Sequence, residues 1–246
     1  MAEPATPTQP QTILIERARY VLTMDARNTI LEQASLVIRG DRIVDLGPAA
    51  EVAARHPRHT VGKVLDAGHH LVLPGFIDTH MHLTEHLSRG IIPDHLSTVE
   101  WVYDWAKPVY SAPTDEDEYV SSLLACVEMI KTGTTCFIDQ GVYNPGVRSG
   151  EAIEQVGIRG IVGRHAADKP PEKIPAHWDP AWVNKQYSTT EEALRELERV
   201  IRLWNGRANG RIRAWANLEG KVHHTTDELY VGAKKLADQY GVGTAY

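Results

Sequence analysis

The stretch LPGFIDTHMHL, residues 73–83, ends an apolar run on two histidines, His80 and His82, with one residue between them. Extended backbone alternates its faces with period two, so both imidazoles project from one side with Asp78 a step behind them, while Ile77 and Thr79 take the other. Imidazoles that point together can share a metal ion. Two of them do not complete a metal site, and an isolated pair reads first as surface histidines. Pro74 and Gly75 interrupt the run at its entry, as happens where a chain leaves one unit and begins the next. The flanking sequence has to decide.

Upstream, from Ile13 to Leu73, the pattern is short alternating strands and turns. Gly40 and Asp41 sit between two alternating runs as a hairpin turn would, and one short helix, AAEVAARH, interrupts the strands. Downstream of Phe76 strand and helix alternate, with strands predicted near 76–80, 134–139, 158–164, 212–217 and 242–246 and helices near 114–132, 148–157, 190–206 and 226–240. Thr114 followed by DEDE is a helix start with its acidic residues favourably placed on the dipole, and Gly133 is its stop. Such alternation predicts a parallel sheet with crossover helices. An eightfold barrel takes about 250 residues, so residues 76–246 hold four βα pairs and the start of a fifth strand. The predicted fold class is α/β: the amino-terminal half of a (β/α)8 barrel (residues 74–246, ending in strand five), preceded by a small β-sandwich unit (residues 12–73, part of a composite domain) and a disordered leader (residues 1–11).

Composition narrows the partners. The 246 residues carry 26 basic and 32 acidic side chains, a net charge of −6, which gives no basic surface for nucleic acid or an anionic membrane. No apolar run approaches the roughly 18 residues needed to span a bilayer, and the start MAEPATPTQPQ has neither the basic nor the apolar part of a signal peptide. A cytoplasmic protein is expected. Cys126 and Cys136 fall in helical and strand patterns, which suits reduced, buried thiols rather than a disulfide framework.

Taken together, VLPGFIDTHMHLTEHLSRG, VEWVYDWAKP, ACVEMIKTGTTCFID and EQVGIRGIVGR resemble the amidohydrolase superfamily. Within it they resemble the branch of cytosine, guanine and adenosine-type deaminases and triazine and other chlorohydrolases. The resemblance implies that His80 and His82 are two ligands of one catalytic divalent metal ion, zinc or iron. It implies hydrolysis of a carbon–nitrogen or carbon–halogen bond of a heterocyclic or related small molecule by metal-activated water, in a homo-oligomer when full length. In that family a third histidine comes from strand five, a fourth from strand six and an aspartate from strand eight, with a glutamate after the strand-five histidine as proton shuttle. All of these are expected beyond Tyr246. The chain is therefore expected to be the amino-terminal part of such an enzyme and inactive alone; the alternative is a complete half-barrel that is non-catalytic or depends on a partner.

Barrel enzymes carry their sites on the loops after the strands, which nominates further residues. Glu85 follows the histidine pair and meets either substrate or solvent. Glu100 with Trp101 resembles a family segment whose glutamate binds ribose hydroxyls in some nucleoside deaminases; the competing reading is a solvated helix carboxylate. Asp139 ends strand two and His165 follows strand three, either orienting ligands by hydrogen bonds or lining the barrel as satisfied polar groups. After strand four the chain reads LEGKVHHTTDELY where nucleoside-type deaminases carry G-P-H-x-P-Y, which places His223 and His224 out of the usual register and leaves the substrate open. Lys221 in that loop resembles, without a supporting pattern, the carboxylated lysine of binuclear relatives. The long loop 165–187 reads as a lid whose Trp178, Trp182 and Tyr187 either stack on a flat ring or pack the loop down.

With only two ligands of the implied set, the isolated 246-residue chain is expected to retain much less than one equivalent of zinc after dialysis. Metal analysis before and after a mild chelator checks this; stoichiometric zinc that survives, and is lost in His80→Ala, contradicts it.

Overall fold

The computed structural model describes residues 11–220 and 223–246. The expected leader, apart from Gln11, and Lys221 lie outside the described residues. The chain divides between Pro74 and Gly75 into two units.

In the first unit, alternating apolar residues form β1 (Thr12–Leu22), β2 (Ile30–Arg39) and β3 (Arg42–Pro48), followed by α1 (Ala49–Arg55), β4 (Lys63–Asp66) and β5 (Leu71–Val72). Gly40 takes φ +59° between the paired residues Arg39 and Arg42, a left-handed turn conformation that costs glycine little. The five strands make one sheet in the order β3-β2-β1-β4, with β5 also beside β1. One face buries Ala18, Val21, Ala34, Leu36 and Ala67, and the other buries Leu14 and Val37 beneath Val52 of α1. Among the described residues this unit holds one five-stranded sheet with α1 on one of its faces.

The second unit begins with β6 (Phe76–Met81) and a 3₁₀ turn, Leu83–Ser88. A continuous helical stretch follows, α2 (Thr98–Glu100), a π turn at Trp101–Ala106 and α3 (Lys107–Ser111), which the sequence pattern did not predict. Then come α4 (Asp115–Thr132), β7 (Thr134–Asp139), α5 (Ser149–Val156), β8 (Arg159–Val162), α6 (Pro180–Gln186), α7 (Thr190–Trp204), α8 (Arg207–Gly210), β9 (Ile212–Ala214), β10 (Ala216–Asn217), α9 (Asp227–Tyr240) and β11 (Thr244–Ala245). Strands β6-β7-β8-β9 form a wholly parallel sheet, as strands joined through helical crossovers must. The predicted fourth strand divides at Trp215. Its amide still bonds the Val162 carbonyl at 3.0 Å, whereas the next amide, of Ala216, turns to Gly243 at 3.1 Å, so the strand passes its hydrogen bonds from β8 to β11. The architecture is mixed α/β around a parallel sheet, the predicted class.

Local grammar sets the helix ends. Thr114 and Asp117 cap each other's amides at 3.2 and 2.9 Å, and Thr189 and Glu192 do the same at 3.2 and 3.0 Å. The main core joins Phe137, Val162, Ile212 and Ala214 of the sheet to Ile153, Leu197, Ile201 and Leu229 of the helices. Glycine at position 160 is demanded by packing, because a Cβ there would stand 2.5 Å from the Phe137 ring. No helix among the described residues is long and apolar enough to cross a membrane.

Not every apolar surface is covered. Phe76 and Ile77 of β6, which pairs only with β7 among the described residues, are 57% and 65% exposed, and Val120, Leu124, Val127 and Ile130 form an exposed stripe along α4. An open parallel edge beside apolar side chains favours association. The 246-residue chain expressed alone is expected to be dimeric, aggregated or partly unfolded, and light scattering with thermal denaturation checks this; a monodisperse monomer that unfolds cooperatively contradicts it.

Candidate active site

The parallel pairing of β6 and β7 brings the end of each strand to one rim, and the site is assembled there. His80 and His82 line a cavity of about 420 Å³ together with Glu85, Trp101 and Tyr110. Their ring centroids lie 5.6 Å apart with the planes at 76°. Tetrahedral ligation at about 2.0–2.1 Å would set two imidazole centroids roughly 5 Å apart, so the observed spacing fits a shared ion. Burial, with His165 and His80 adding to it, pushes the His82 imidazole down to about 4, which keeps it neutral and able to ligate at neutral pH. Among the described residues no group of three His, Cys, Asp or Glu side chains is arranged to hold a metal ion, so the pair is a partial ligand set.

Glu85 Oε1 lies 3.4 Å from His82 Nδ1. Burial pushes its carboxyl up to about 8, so at neutral pH this contact joins two uncharged groups. A smaller recess of about 160 Å³ shares His82, Glu85, Trp101 and Tyr110 with the cavity and leads inward to Lys107, Tyr143, His165 and Glu219. There Glu219 Oε2 meets Lys107 Nζ at 3.0 Å, the Tyr143 hydroxyl at 3.3 Å and His165 Nε2 at 3.4 Å. Burial alone would raise the Glu219 carboxyl, but the charges beside it hold it well below the usual carboxylate range. Burial also pushes His165 down to about 4.

The remaining nominated residues stand elsewhere. Glu100 is exposed and closes a capping box, accepting from the Ser97 amide at 2.9 Å while its own amide donates to Ser97 Oγ at 3.3 Å. His223 is exposed, and its neighbour His224 is 1% exposed between the Tyr103 hydroxyl (3.1 Å from Nε2) and the Tyr187 hydroxyl (2.8 Å from Nδ1). Asp139 is fully buried and outside the cavity lining; its Oδ1 accepts from the Leu83 amide at 3.1 Å, fixing the backbone just after His82. The 165–187 loop is packed down rather than stacked over the site: Trp178 donates to the Tyr103 carbonyl at 2.7 Å and clusters with Ala167 and Tyr187. Both cysteines are free. Lys107, Tyr110, Tyr143 and Glu219 escaped the sequence reading. A lysine inside the apolar run WVYDWAKPVY and a glutamate closing strand four were the available signals.

Against this geometry, comparison with known proteins decides the family. Residues 71–245 match the amidohydrolase family. The chain belongs to it. Residues 36–58 match the bacterial imidazolonepropionase-like composite domain. The chain is 32% identical to the 5'-deoxyadenosine deaminase of Methanosarcina barkeri (strain Fusaro / DSM 804) over 230 residues, which is 94% of this chain and 47% of that protein. Its fold is similar to that of the atrazine chlorohydrolase from Arthrobacter aurescens TC1 complexed with zinc, with a TM-score of 0.75 at 20% identity over 94% of this chain and 52% of that one. It is also similar to an adenosine deaminase from Xanthomonas campestris with bound zinc, with a TM-score of 0.72 at 21% identity over 98% of this chain and 50% of that one. The chain spans about half the length of the curated relatives it matches.

Removing one partner of a buried ion pair strands the other charge, at a cost of about 3–5 kcal/mol. Lys107→Met is therefore expected to lower unfolding stability by several times the ~1 kcal/mol expected for Glu100→Ala. Denaturant unfolding of the two variants side by side checks the contrast, and equal losses contradict it.

Proposed function

We propose that this chain builds the amino-terminal wall of the active site of a zinc-dependent hydrolytic deaminase acting on an amino-substituted heterocycle. The observation that carries the reading is the pair of imidazoles, His80 and His82, at the end of β6 in one cavity with two aromatic walls, Trp101 and Tyr110. The deaminase named among the relatives and the zinc named with the two solved structures support it. When bound, a divalent ion supplies Lewis-acid activation of water for attack on the carbon that bears the leaving amine. His82 enters the reaction neutral. Trp101 and Tyr110 offer faces to a flat ring, and Glu85, uncharged at neutral pH, holds a proton at the carboxyl beside His82. Asp139 keeps the loop after His82 in place through the Leu83 amide. The reading requires further ligands and a proton shuttle from beyond the described residues. A small molecule as the only substrate, a homo-oligomer and a cytoplasmic location go with this proposal.

The test is ammonia release by zinc-loaded polypeptide from the full reading frame, given 5'-deoxyadenosine, cytosine, guanine and aminotriazines. Loss of groups that merely orient ligands costs about 10–100-fold, so His80→Ala and His82→Ala are each expected to lower ammonia release by more than about 100-fold. Absence of ammonia from the whole panel, or release of chloride from a chlorotriazine in its place, overturns the deaminase reading.

A further inference from the structure

The inner recess holds a charged pair that neither the histidine pair nor the family assignment explains. Lys107 and Glu219 are 3% and 9% exposed and come from elements far apart in sequence, the helix after the π turn and the end of the fourth strand. Burying two charges is expensive unless geometry and further hydrogen bonds compensate them. Here the compensation converges on one atom, Oε2, which takes Lys107, Tyr143 and His165. Oε1 of the same carboxylate makes no hydrogen bond among the described residues, yet it is not a sealed, unpartnered atom. Glu219 lines the recess, and with Oε2 engaged by those three groups Oε1 is the oxygen left to meet a ligand there.

The surroundings limit what that oxygen can meet. The Lys107 charge is matched by Glu219 at 3.0 Å, so the pair offers no net positive charge to an anionic substrate group. Apart from His82, His165, Thr84 and Glu85, the other recess walls are largely aromatic or apolar, Trp101, Tyr110 and Tyr143 among them. An ionised carboxylate oxygen in such a wall accepts hydrogen bonds and donates none. Glu219 lines the inner recess and not the outer cavity where His80 stands, so it faces the edge of a bound ring turned away from His80.

We propose that Glu219 is a specificity-determining residue that selects heterocycles presenting an N–H donor on this inner edge, a ring N–H or a second amine, through Oε1. Lys107, whose Nζ donates to Oε2 at 3.0 Å, is a positioning residue that fixes the plane of the carboxylate. The inference rests on the reading of this cavity as a heterocycle site and names the chemistry of the ring it takes. A ring whose inner edge carries only acceptors or alkyl groups leaves Oε1 desolvated and unpaired, and is rejected.

Calorimetric binding of 2-aminobenzimidazole and 1-methyl-2-aminobenzimidazole to the polypeptide from the full reading frame tests this without relying on turnover. The N–H probe is expected to bind about 10- to 100-fold more tightly than the methylated one. That preference is expected to fall to within about 2-fold in Glu219→Ala and to persist in part in Glu219→Gln, whose amide oxygen still accepts. Equal affinity of the two probes in the wild type, no binding of either, or an undiminished preference in Glu219→Ala each overturns the proposal. The wild-type ratio alone decides if the variants fail to fold. Ammonia release with equal probe affinities defeats this inference and leaves the deaminase reading standing; a retained preference without ammonia release does the reverse.

Discussion

Everything at the rim depends on how β6 is held against β7. In a parallel pair the hydrogen bonds fix register without a connecting turn, and a slip of one residue would invert every side chain on the strand. Met81 stands opposite Asp139, the Gln140 amide bonds the Met81 carbonyl at 2.8 Å, and the Asp139 carboxylate reaches the Leu83 amide at 3.1 Å. His82 is thus enclosed by bonds to the residues on both sides of it. His80, which stands where the β6–β7 register shifts between Asp78 and Met81, lines the same cavity. The donors are backbone amides and the acceptors a backbone carbonyl and a buried carboxylate, so the imidazoles are set before any ligand arrives.

The same residues explain what the sequence could reveal. Alternation and helix caps are local signals, and the parallel strands and the four predicted helices followed from them to within a few residues, down to Thr114, Gly133 and Thr189, whereas the helical stretch from Thr98 to Ser111 and the short α6 and α8 did not. The histidine pair was legible because period two is a property of the strand itself. Glu219 and Lys107 were not legible, since their meaning lies in an encounter across 112 positions that no spacing announces. Glu100 shows the converse case. Its position beside Trp101 suggested a ligand contact, but S-x-x-E is also a capping box, and the local hydrogen bonds took it.

His224 has an organising part in the second unit. One imidazole, bonded on both nitrogens by phenols, ties together the helical stretch after the first strand, the long third loop and the fourth-strand loop. Tyr103, Trp178 and Tyr187 therefore serve as a clasp behind the recess wall, and ring-stacking surface in the cavity is left to Trp101 and Tyr110.

The π turn at Trp101–Ala106 gives this wall its phasing. An α-helix advances about 100° per residue, and a π turn absorbs one extra residue. Before the turn, Ser97 and Glu100 face solvent and satisfy the helix start; after it, Lys107 faces inward to Glu219. Straight α-helical winding through the same six residues would rotate the following turn by roughly 100° relative to the first. Either the cap or the ammonium would then point the wrong way. The widened turn works as a fixed swivel that lets one short helix belong to the surface at its beginning and to the inner recess at its end.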